Sequence, residues 1–361
     1  MLDIYKKSLL FLEGIICRNL KIAPRSILFP IVWITNKCNL KCKICDQWKV
    51  NAELFSKELS TEEWFSFIDS AKRLNAAVIV ITGGEPFLRP DLFEIIKYIK
   101  KNKISSHICT NGTFLDKVTV NKLKEAKPDS ISVSLDSYSA DIHNLLRGVD
   151  CFEKVIQGIK LLKTYEPKIK VGINCAVSKK NFRDLYKMVP FAESLGVDQI
   201  KIDLIHTNLR HRNKSLDSFA EFIFQENDAS ELKSEIDKYI HTALRSKLLT
   251  NSATFLKGIG NSSKNYCLRY SCSAGYLSCA VDPLGRVSPC DDFEGQDSLR
   301  NKPLEEIWKS PSFNALRLKV QNCTLKCWDS THAEVNIRSS FRGFLQEFRH
   351  ILRELRYYSY K

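Results

Sequence analysis

From Ile31 to about Leu204 the chain alternates short apolar runs with helical patterns, and this alternation restricts what it can fold into more than any other feature. Strand–helix units repeated in this way build a parallel sheet with helices covering it. Six runs read as strands, over 31–35, 77–82, 106–110, 130–135, 170–176 and 199–204. Between the first two, Ser60 to Glu63 forms a capping box that opens a helix with Trp64, Phe67, Ile68, Ala71 and Leu74 on one face. Asp91 starts another, with Phe93, Ile96 and Ile99 inward, and further helices are expected over 117–126, 152–164 and 182–195. Six such units predict an α/β fold built on a partial (β/α)6 TIM-like barrel.

Three cysteines follow the first strand: Cys38, Cys42 and Cys45, separated by three residues and then two. Three thiolates can hold three irons of a [4Fe–4S] cluster and leave the fourth open to a ligand, whereas fully ligated clusters take four. A zinc knuckle wants a fourth Cys or His close by, and no His lies within sixty residues of Cys45. The second strand ends in Thr82, Gly83, Gly84, Glu85 and Pro86. Paired glycines at a strand's carboxyl end let the backbone approach a ligand closely, and barrel sites gather at that end.

The cysteine triplet resembles the Cys-x3-Cys-x-φ-Cys signature of the radical S-adenosylmethionine (radical SAM) superfamily, with Ile44 at the φ position. The strand end is similar to that family's Gly-Gly-Glu-Pro motif. The resemblance implies that Cys38, Cys42 and Cys45 carry a cluster whose open iron chelates the methionine moiety of SAM. An electron from that cluster would then release a 5′-deoxyadenosyl radical. It also implies that Gly83, Gly84, Glu85 and Pro86 hold the methionine end. Ser134 and Asp136 resemble an element lying beside SAM in relatives, and Arg147-Gly148 an Arg-Gly that follows it. Asn174, with Ser178 just beyond, occupies positions where relatives contact the ribose or carboxylate. For Arg147 and Ser178, polar loop residues with no ligand are an equal alternative.

Six more cysteines fall late in the chain: Cys267, Cys272, Cys279, Cys290, Cys323 and Cys327. Residues 280–287 read as a hairpin turning at Asp282 to Gly285, which puts Cys272 and Cys290 on either side of it. The run Cys-x12-Gly-x4-Cys resembles the start of the SPASM and twitch extensions of radical SAM enzymes, and residues 304–317 the helix that follows. Cys272, Cys290, Cys323 and Cys327 then make one auxiliary [4Fe–4S] site. No cysteine follows Cys327, so a single-cluster, twitch-like domain is expected rather than a two-cluster one. Cys267 and Cys279 are left as substitutes or buried thiols. A four-thiolate zinc site remains open, and Cys17, Cys109, Cys151 and Cys175 read as structural.

The expected organisation is an N-terminal amphipathic segment (1–30), the partial barrel (31–204), a bridging helical segment (205–266), a small cysteine-rich domain (267–335) and a basic amphipathic helix (336–361). The bridge opens with a basic run, 206–214, read as a loop, and continues with a helix over 230–247 carrying Leu232, Ile236, Tyr239 and Ile240. In the tail Phe341, Phe344, Leu345, Phe348, Leu352 and Leu355 share one helical face amid arginines. That pattern suits a terminal helix packed on its own barrel, the commoner outcome, one lying on an anionic membrane, or one docked to a partner. Residues 4–20 pose the same question.

A formal charge of +14 attracts polyanions, yet no nucleic-acid-binding motif accompanies it. The apolar stretch 9–16 contains Glu13 and is too short to span a bilayer. A reducing cytoplasm is expected for so many free thiols, with peripheral membrane association left open. The leading expectation is therefore an oxidoreductase-type radical SAM enzyme that takes hydrogen from an unidentified substrate, uses the auxiliary cluster in electron transfer or substrate binding, and draws electrons from a donor such as flavodoxin or ferredoxin. With only 37 residues before Cys38, a peptide substrate would need a separate recognition partner. The alternative is a non-catalytic iron–sulfur or zinc protein serving electron transfer or interaction.

Overall fold

The computed structural model describes residues 2–205, 220–261, 270–325 and 327–358, with side chains between residues 5 and 354. The basic run 206–214, Cys267 and the side chain of Leu355 lie outside that description. Six parallel strands carry the barrel: β1 (Ile31–Trp33), β2 (Val78–Thr82), β3 (Ser105–Thr110), β4 (Ser130–Ser134), β5 (Lys170–Val177) and β6 (Gln199–Leu204). Each pairs in parallel with the next in order, as in a run of βα units. Ile79, Ile81, Ile108, Ile131, Val133, Val171, Ile173, Ile200 and Ile202 are fully buried beneath the helices. On β2 and β3 the buried residues alternate with half-buried ones, so one face of each strand packs more tightly than the other.

Those helices are α2 (Thr61–Arg73), α3 (Leu92–Lys101), α4 (Lys117–Ala126), α5 (Ala140–Arg147), α6 (Phe152–Tyr165) and α7 (Leu185–Ser194). An N-terminal helix, α1 (Leu2–Leu20), precedes β1. The Ser60 box forms as expected, Ser60 and Glu63 bonding reciprocally. The short α5 was not expected. It ends where Gly148 takes φ +70° and donates its amide to Asn144, a left-handed stop suited to glycine.

Beyond the barrel come α8 (Ala229–Arg245) and α9 (Ala253–Gly260), then β7 (Ala280–Val281), β8 (Arg286–Ser288) and β9 (Asp297–Ser298). The β7–β8 hairpin turns through Asp282 to Gly285, as read from sequence, with Gly285 at φ +86°. What sequence did not reveal is that β7 pairs parallel with β1, so one sheet runs β6-β5-β4-β3-β2-β1-β7-β8-β9. The single helix expected over 304–317 is two, α10 (Leu304–Lys309) and α11 (Pro311–Gln321). Pro311 has no amide to continue α10, and Ser310 instead caps α11 by accepting from the Phe313 amide.

Two last helices, α12 (Ala333–Arg338) and α13 (Phe341–Tyr358), close the chain. The apolar stripe of α13 does not pack on the barrel. Phe341, Phe344, Leu345, Phe348 and Leu352 are exposed, and the helix docks through polar contacts, with Glu347 accepting from the amide and hydroxyl of Thr254.

Candidate active site

The loop carrying Cys38, Cys42 and Cys45 leaves the carboxyl end of β1 and is held from three sides. From β2, the Gly84 amide donates to Thr35 O at 2.8 Å and the Glu85 amide to Lys37 O at 2.7 Å. Glu58 accepts from the Thr35 hydroxyl at 2.9 Å and the Asn36 amide at 2.6 Å. After β3, Asn111 donates to Asn39, which donates to Thr113. The glycines are explained by this clamp. A Cβ on Gly83, which sits at φ +139°, would meet Thr35 O at 2.5 Å, and one on Gly84 would meet Lys37 O at 2.0 Å. Their close approach is thus to the cysteine loop's own backbone.

Glu85 is fully buried, and both its oxygens are engaged. They accept from the Thr110 hydroxyl at 2.8 Å, the Asn111 amide at 2.7 Å and the Phe87 amide at 3.1 Å. Burial pushes its carboxyl up to about 7 despite those bonds. Its side chain therefore ties the end of β3 to that of β2, and a ligand at this point is left with backbone groups.

The third support comes from α5. Ile44 and Cys42 pack with Leu40, Leu146 and Phe222 in a small apolar cluster, and the Lys43 amide donates to Leu146 O at 2.9 Å. A Cβ on Gly148 would meet Lys41 O at 2.5 Å. Arg147 pairs with the buried Asp136 at 2.8 Å, and its positive charge acts on the Cys42 thiol. Asp136 also accepts from the Ala176 amide at 3.0 Å, tying β4 to β5. His143 accepts the Asp136 amide at Nδ1; burial holds it down to about 4, a neutral ring. Burial pushes the Cys42 thiol up to about 12, with Arg147 opposing. Iron must displace that proton, as it must for any buried thiol ligand. Ser134 and Asn174, half-buried, are register partners on β4 and β5 at the same end. Ser178 is fully buried and bonds Asn181, a turn-forming role.

Cys272, Cys290, Cys323 and Cys327 line one cavity of about 490 Å³, together with Trp33, Thr82, Gly83, Cys109 and Asp203 from the barrel strands. Cys279 is fully buried and lies outside that lining. The donors surround the space. Among the described residues no three His, Cys, Asp or Glu side chains gather as a single metal ion requires. Four thiols are the donor set that a fully ligated [4Fe–4S] cluster takes. Two polar atoms at the wall are buried without a partner, Asp292 Oδ1 and His332 Nε2, so a group with donors and acceptors of its own fits the space.

Sequence reasoning missed His332, Asp329 and Asp203. Burial works against charging His332, but Asp329, 3.1 Å from Nδ1, raises it to about 10. Asp203, at the end of β6, accepts from the Ser330 amide and hydroxyl, and burial beside Asp329 lifts it to about 7. Distant segments bring these groups together, and no local pattern marks them.

Known proteins sharpen the picture. The family model described as the radical SAM superfamily matches residues 32–189, and that of the SPASM iron–sulfur cluster-binding domain matches 272–329. An AdoMet-dependent heme synthase of Methanosarcina barkeri is 28% identical over 82% of this chain and 85% of its own. Mycofactocin maturase MftC of Mycobacterium tuberculosis is 24% identical over 80% of this chain and 72% of its own. Streptococcus suis SuiB, solved bound to S-adenosylmethionine, superposes with a TM-score of 0.66 at 19% identity, covering 83% of this chain and 70% of that one. That last likeness is one of fold.

Proposed function

This chain belongs to the radical SAM superfamily and is an enzyme with a C-terminal SPASM domain, and from that we propose that it abstracts hydrogen from a substrate held between two iron–sulfur sites. The carrying observation is the shared cavity. Gly83, part of the clamp on the Cys38–Cys45 loop, and the four later thiols face the same space. The bound cluster and SAM supply a 5′-deoxyadenosyl radical, and an auxiliary cluster supplies one-electron transfer.

On this reading Cys38, Cys42 and Cys45 hold the SAM cluster, and Cys272, Cys290, Cys323 and Cys327 a fully ligated auxiliary cluster. The backbone of Gly83 to Pro86 receives the methionine end, while Ser134 and Asn174 line the SAM pocket and the buried Asp136 supports it from behind. Arg147 keeps Asp136 paired and places a cation against Cys42. Trp33 and the strand ends beside it wall the substrate off from water. The relatives' names span heme synthesis and mycofactocin maturation, so no single substrate carries over. An external donor such as flavodoxin or ferredoxin supplies electrons.

Anaerobic reconstitution followed by SAM and dithionite tests the core of this reading. We expect about eight irons per chain and formation of 5′-deoxyadenosine. Cys42→Ala should abolish the product and leave about four irons. A fully loaded protein that forms no 5′-deoxyadenosine would contradict the assignment.

A further inference from the structure

The terminal helices present apolar faces that nothing among the described residues covers. On α1 the exposed residues Tyr5, Leu9, Leu12, Ile16 and Leu20 recur at steps of four, three, four and four, a single stripe along the helix. On α13 the stripe is Phe341, Phe344, Leu345, Phe348 and Leu352, with Phe341 81% exposed. These ten are more than half of the nineteen large apolar side chains exposed among the described residues. Concentration on two helices separates them from the scattered exposure of an ordinary surface.

Both helices are anchored by their opposite faces. Gly14 of α1 packs against Leu277, and the buried Arg18 donates to Ser271 O, Ser273 Oγ and Ser339 Oγ. The bond to Ser339 brings the end of α1 to the start of α13. The latter is fixed by Glu347 on Thr254, by His350 on Thr250 O at 2.7 Å, and by Glu354 with Arg338. The stripes are therefore held outward by specific polar bonds.

Charge decides what meets them. The carboxylates of α13 turn inward, and Glu13 of α1 takes the Arg25 amide at 2.8 Å. Among the described side chains of the two helices, the exposed charges are all cationic: Lys6, Arg342 and Arg349, with Lys21 and Arg25 just past α1. An apolar stripe flanked by cations matches the headgroup boundary of an anionic bilayer. Among the described residues no helix is long and apolar enough to cross a membrane, so the contact is peripheral.

We propose that α1 and α13 together form a docking face that seats the protein on an anionic membrane surface. The face is independent of the cysteine sites, so its failure and theirs are separable. The reconstituted full chain should float with phosphatidylcholine vesicles containing phosphatidylglycerol, at least roughly tenfold more than with phosphatidylcholine alone, and added salt should weaken binding. The pairs Leu9→Glu with Leu12→Glu, and Phe344→Glu with Leu345→Glu, should each lower flotation about tenfold while 5′-deoxyadenosine formation stays unchanged. The proposal is overturned by an active protein that does not float, or by paired variants that float like the parent. It is equally overturned by non-floating protein that self-associates through these stripes, which would make a second copy the occupant.

Discussion

Glu85 shows how one side chain can set a pH dependence for the whole site. Folding raises its carboxyl from the ordinary 4.5 to about 7, so the folded state favours the protonated form. Its stabilising contribution is complete below about pH 4.5 and disappears as pH rises through about 7. That shift corresponds to on the order of 3 kcal/mol. Glu85→Gln cannot titrate, so thermal unfolding of the iron-free chain should favour the variant progressively between about pH 5 and pH 8. Parallel curves for variant and parent would remove Glu85 from the account. At this scale the thiols and the Gly-Gly pair were legible, because each is a local pattern with a chemical reason. The role of Glu85 was not, because its partners Thr110 and Asn111 lie on another strand. The same applies to His332, whose importance comes from the cavity it faces.

Loops and helices add constraints that no single residue carries. The cysteine loop is shaped by β2, by the turn after β3 and by α5, so its geometry depends on all three. Gly84 is the tightest of these joints, and its backbone needs no left-handed conformation, so the whole cost of a larger residue there is steric. Gly84→Ala places a methyl 2.0 Å from Lys37 O and must displace the loop. Reconstituted protein should then hold about four irons instead of eight and form no 5′-deoxyadenosine. Retention of both would show that the loop adapts. Helix positions were largely readable from apolar spacing and capping, as at Ser60. The break at Ser310 and Pro311 was readable in principle, since proline at a first helical position is a start signal, but the apolar pattern runs across it. The outward face of α13 was not readable, because amphipathicity does not say which face a neighbour covers.

The molecule as a whole is tied together by the pairing of β7 with β1, two short strands nearly 250 residues apart in sequence, Ile31 opposite Ala280 and Val32 opposite Val281. Nothing local predicts such a contact, which is why the barrel and the cysteine-rich segment read as separate units from sequence. A chain ending at Gly260 would leave the edge of β1 bare, an invitation to aggregate. It should be recovered as insoluble or self-associated protein by size-exclusion chromatography, while the full chain is monodisperse. A monomeric fragment that still forms 5′-deoxyadenosine would mean that the barrel does not depend on its neighbour. The pairing also bears on how such a chain can diverge. Because the sheet, and not the connecting segment, sets the spacing between the cysteine loop and the hairpin, the chain between β6 and Cys272 can lengthen or shorten without moving either site. Substrate choice can drift there while the distance an electron must cover stays fixed.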